Sequence, residues 1–179
     1  MRRALGRNRK LVLQIVFGIA LLAVLIVSAW VAWGPGYSSD QGGVGYRVFS
    51  HIAIMVDGVN MTIPGNIGVP GGMWANHTLD GLGVSGYAPI YTQTESGVIH
   101  VEATKVYPFV LGDFFNIWGQ TLTDTPQRCI LNYCQSGTTT ITLFVNGDPP
   151  SNPDASWRAI VLFSQTDIFF RISTPNASK

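Results

Sequence analysis

The hydrophobic positions of this 179-residue chain follow two different patterns. Residues 11–33, from Leu11 to Trp33, are apolar almost without a break, with Gln14 as the only strongly polar side chain. A helix of that length spans about 34 Å, enough for a bilayer core of about 30 Å, so the run predicts a transmembrane helix. Beyond it, residues 34–46 are rich in Gly and Ser and read as a flexible linker.

From residue 47 the pattern alternates. Residues 47–63 (RVFSHIAIMVDGVNMTI) form two β-branched runs joined by Asp57-Gly58, a hairpin signal. With a side-chain period of two, Ile52, Ile54 and Val56 share one face, and Val59, Met61 and Ile63 share one face of the returning strand. Residues 64–88 hold seven glycines and two prolines without a sustained period, and predict a long loop. Residues 90–103 predict a second hairpin turning at Glu95-Ser96-Gly97, with Ile99, Val101 and Ala103 on one face and Val98, His100 and Glu102 on the other.

One soluble helix is expected. In residues 111–119 the apolar side chains Leu111, Phe114, Phe115 and Trp118 recur at helical spacing, and Gly119 suits a left-handed stop. Strands are expected at 138–145, 157–163 and 167–172. The order hairpin, helix, strand, strand predicts an α+β domain over residues 47–179, β-grasp-like, behind the transmembrane helix. A β-sandwich with one helical crossover uses the same elements.

Charge orients this plan. Residues 1–10 carry Arg2, Arg3, Arg7, Arg9 and Lys10 and no acid, a cytoplasmic basic tail by the positive-inside rule. The larger part of the chain is then extracellular, in a single-pass protein of the cell membrane that contacts lipid through residues 11–33. A cleaved signal peptide ending near Ala29 is the competing reading, and exports the same domain. Beyond Trp33, six basic residues face ten acidic ones, a net of −4, so a nucleic-acid partner is not expected.

Export fits the remaining chemistry. Cys129 and Cys134 are the only cysteines and would pair across a short loop in an oxidising compartment; a metal or redox pair normally uses a two-residue spacing and further ligands. Asn60, Asn76 and Asn176 each head an Asn-x-Ser/Thr glycosylation triplet.

Ser96-Gly97, Ile99-His100-Val101-Glu102, Leu111-Gly112-Asp113-Phe114-Phe115 and Trp118-Gly119 together resemble uncharacterised membrane-anchored, extracytoplasmic proteins of archaea and some bacteria. Their pattern opens with Leu-His-Thr-His-Asp. Here Tyr91 and Gln93 stand at the two histidine positions and Thr94 at the Asp; His51 matches a further histidine position, while Ala53 stands at another. The resemblance implies an extracytoplasmic location. Its histidine-rich strand suggests copper or zinc, for which His51, His100 and Glu102 are the candidates remaining.

No Gly-x-Ser-x-Gly elbow and no paired-carboxylate spacing occurs, so no catalytic residue is assigned and a non-catalytic role without cofactor is expected. Trp74 and Tyr87, aromatic side chains of the long Gly-rich loop, are the candidate partner contacts. The leading expectation is an envelope module that binds a protein or glycan. A copper- or zinc-binding domain is the first alternative, and an enzyme of unknown class the second.

Overall fold

The computed structural model describes residues 43–175. The expected span at residues 11–33 and the acceptor Asn176 lie outside these residues. Alternating runs build the main sheet: β1 (Tyr46–Val56), β2 (Val59–Met61), β3 (Ile90–Tyr91), β4 (Val98–Ala103), β8 (Thr140–Val145) and β9 (Thr166–Ser173). The strand order is β3-β4-β1-β9-β8, with β2 paired to the far end of β1. Strand β1 runs antiparallel to β2 and β4 and parallel to β9, so the first and last strands meet at the centre of the sheet. A second sheet joins β5 (Leu122–Thr123), β6 (Cys129–Ile130) and β7 (Tyr133–Cys134). Helix α1 (Leu111–Trp118) stands between β4 and β5.

One face of the large sheet is the core. Ile52 and Ile54 of β1, Ile99, Val101 and Ala103 of β4, and Ile168, Phe170 and Ile172 of β9 are all buried. Against them pack Leu111, Phe114, Phe115 and Trp118 of α1, together with Ile63, Ile67 and Leu162 from loops. Helix α1 ends at Gly119, whose left-handed φ of 76° closes the last turn, while Asp113 accepts a hydrogen bond from the Val110 N–H at 3.1 Å at its start.

The α+β, β-grasp-like class expected from the sequence is corrected: the described domain is mostly β with one short helix. Eight residues make a helix about 12 Å long, whereas five adjacent strands span about 19 Å, so α1 cannot form a helical layer over the sheet. Loops supply the rest of the cover. The sandwich alternative fails as well, since three two-residue strands do not make a second layer. No helix among the described residues is long and apolar enough to cross a membrane.

Two local expectations also change. Residues 157–163 are not a strand; only Val161 makes an isolated bridge, to Val110. Val59 and Met61 of β2 do not face the core but are 70% and 37% exposed, because β2 hangs beyond the end of β4. Cys129 and Cys134 lie at disulfide distance, with sulfurs 2.03 Å apart, linking β6 to β7.

Candidate functional site

The opposite face of the large sheet is not covered in the same way, and it carries the candidate chemistry. Strand alternation places Phe49 and His51 of β1 on this outer face, beside their register partners His100 and Val98 of β4 and Asp167 of β9. Tyr91 of β3 pairs with His100 and lies on the same side.

The aromatic rings form a continuous row. Tyr87 stacks on Tyr91 at 5.1 Å between centroids, Tyr91 stacks on His100 at 5.0 Å, and Phe49 meets His100 edge-on at 5.1 Å. Packing within the row governs its titrating groups. Tyr91 is pushed up to about 12 by burial and by the nearby Glu102 carboxylate. Burial lowers the His100 pKa from 6.5, Glu102 pulls it back up, and Arg47 again lowers it.

Beyond Phe49 the row opens into a concavity of about 430 Å³ bounded by Phe49, His51, Val98, Gln165 and Asp167. His51 Nδ1 lies 2.7 Å from Asp167 Oδ1, and Nε2 lies 3.1 Å from the Ser96 carbonyl oxygen. The imidazole thus bridges β9 to the β3–β4 turn. Gly97 makes that bridge possible: a Cβ there would lie 2.2 Å from the Ile52 carbonyl oxygen, and its φ is +78°. On the other side of His51 a cleft of about 250 Å³ reaches Asn60 and Glu95. The turn at 163–166 is tied to β1 by Ser50 Oγ donating to the Phe163 carbonyl at 2.9 Å and by the Gln165 N–H donating to the Phe49 carbonyl at 2.8 Å. Phe163 in this turn is 60% exposed, and Phe49 is 43% exposed.

The residues singled out for metal are on one face but are not brought together. Glu102 forms an ion pair with Arg47 at 2.9 Å, His100 is held in the aromatic row, and His51 is bound to Asp167 and Ser96. Among the described residues, no group of three or more His, Cys, Asp or Glu side chains is placed to hold a metal ion. Ser96 presents its carbonyl to His51, while its hydroxyl is within 2.8 Å of Thr94 Oγ1.

The two loop aromatics have different settings. Tyr87 caps the row and is 36% exposed. Trp74 is half-buried, stacks on His77 at 5.0 Å and donates its indole N–H to the Asn76 carbonyl at 3.1 Å. Sequence reasoning missed Asp167, Gln165, Phe49 and Phe163. Phe49 had a legible signal, its place two residues before His51 on an alternating strand. Asp167 had none, being 116 residues from its partner.

Compared with known proteins, the chain matches no family model, no curated protein and no solved structure.

Proposed function

We propose that this domain is an exported, non-catalytic binding module of the cell envelope, and that it engages an envelope protein or glycan through the outer face of its large sheet. One observation carries the reading: the aromatic row from Tyr87 to Phe49 ends in an open concavity lined by the exposed Phe49 and by Gln165 and Thr166, and Phe163, in the same 163–166 turn, is exposed as well. A sheet face that gained nothing from such side chains would favour charged or small polar ones, because exposed aromatic surface invites association. Aromatic groups flanked by a few polar ones are the usual anchors of a binding surface. His51, Asp167 and Gln165 supply the polar part here. The exported setting rests on the basic tail, the apolar run and the Cys129–Cys134 pair.

The test compares full-length wild type with a Phe49→Ser, Phe163→Ser double variant, each isolated in mild detergent from its native envelope. Wild type is expected to bring down a stoichiometric protein or glycan. The variant, at unchanged urea midpoint, is expected to lose binding at least about 10-fold, equivalent to about 1.4 kcal/mol. A solitary wild-type protein, or equal recovery by the variant, overturns the proposal.

A further inference from the structure

The segment Asn76-His77-Thr78 lies in the loop between β2 and β3, outside both sheets. Thr78 donates twice to the Asn76 side chain, through its backbone N–H at 2.9 Å and its Oγ1 at 2.6 Å. A backbone N–H can only donate, so the atom it meets is the carboxamide oxygen and the free end is Nδ2. Asn76 is half-buried; among the described residues Nδ2 has no protein acceptor and is not a sealed atom without a partner, so solvent reaches it.

The surrounding side chains hold this presentation. The Trp74 indole N–H donates to the Asn76 carbonyl at 3.1 Å, Trp74 stacks on His77, and His77 Nδ1 lies 2.8 Å from Asp80 Oδ2. These contacts fall between residues 74 and 80, and the turn is anchored to the domain by Trp74, which packs against the core, and by the Ala75 N–H, which donates to the Ile117 carbonyl at 2.8 Å.

Asn60 has none of this. It is paired to Met55 within the β1–β2 ladder, its side chain borders the cleft beside His51, and among the described residues no hydrogen bond joins it to Thr62. We propose that Asn76 is an N-glycan attachment site of this protein and that Asn60 is not. The transfer uses a sugar carried on a lipid phosphate and a membrane transferase. Nδ2 forms a C–N bond to the anomeric carbon, the bond from that carbon to the phosphate oxygen breaks, and the lipid phosphate leaves with the electron pair. Nδ2 gives up one proton to the transferase. The Thr78 hydroxyl, fixed on Oδ1, polarises the carboxamide during this step.

The proposal rests on the exported reading, and the test separates the two. Full-length wild type and the variants Asn76→Gln, Thr78→Ala and Asn60→Gln are purified from cells of the native host and their intact masses measured, with the redox state of Cys129 and Cys134 read in the same samples. Wild type and Asn60→Gln are expected to carry a glycan increment that Asn76→Gln and Thr78→Ala lack. An unmodified wild type with the cysteines oxidised overturns the Asn76 assignment and leaves export standing. An unmodified wild type with both cysteines reduced overturns both. A mass increment in Asn76→Gln as large as that of wild type, or a smaller one in Asn60→Gln than in wild type, overturns the assignment.

Discussion

His100 shows how a single side chain can tie stability to pH. Its ring lies between Tyr91 and Phe49, and burial there disfavours the imidazolium. The folded pKa is therefore below the unfolded value of 6.5, and between the two the unfolded chain binds more protons. Its contribution is fully present above pH 6.5 and is lost as pH falls from 6.5 through the folded value. The urea midpoint of wild type is expected to drop between pH 7.5 and pH 5. His100→Phe keeps an aromatic ring in the row and is expected to show a shallower drop; equal slopes would refute this account.

At the scale of the element, α1 depends on its ends. Its eight residues are too few to be stable alone, so the helix exists because Phe114, Phe115 and Trp118 are buried and because both termini are closed. Gly119 is required at the C-terminal stop twice over: its φ is 76°, and a Cβ there would come within 2.8 Å of the Ala75 Cβ. Gly119→Ala is expected to destabilise the domain by about 1–2 kcal/mol, combining the left-handed penalty with displacement of Ala75. Chemical denaturation checks this, and a loss below about 0.3 kcal/mol would mean that the helix end relaxes freely.

For the molecule as a whole, stability concentrates on the pairing of β1 with β9. Phe170 sits on β9, fully buried, between Ile54 of β1 and Leu143 of β8, with its ring 5.5 Å from Trp157. Truncation to alanine opens a cavity where strands and the 157–163 loop meet. Phe170→Ala is expected to cost about 3–5 kcal/mol, a large share of the roughly 5–15 kcal/mol of a typical domain. The paired substitution Phe144→Ala, on the half-exposed outer face, is expected to cost much less. Similar losses at the two positions, read by urea unfolding, would contradict the assignment of the two faces.

Local physics made several features legible in the sequence. Alternation alone separated Ile99, Val101 and Ala103 from Val98, His100 and Glu102, because a strand has a period of two whatever it pairs with. Helical spacing located α1, the Asp57-Gly58 turn located the end of β1, and a short cysteine spacing located the link between β6 and β7. Other features depended on long-range packing. The parallel pairing of β1 with β9, and the His51–Asp167 contact it creates across 116 residues, has no local signature, because strand polarity and register come from tertiary packing. The two-residue strands of the small sheet are too short to show a period, so neither β5 nor β6 was foreseen. The largely apolar segment 157–163, interrupted by Arg158, and the exposed β2 show the same limit: hydrophobicity says that a segment seeks cover, while the neighbouring elements decide whether it finds that cover as a strand, as a loop, or not at all.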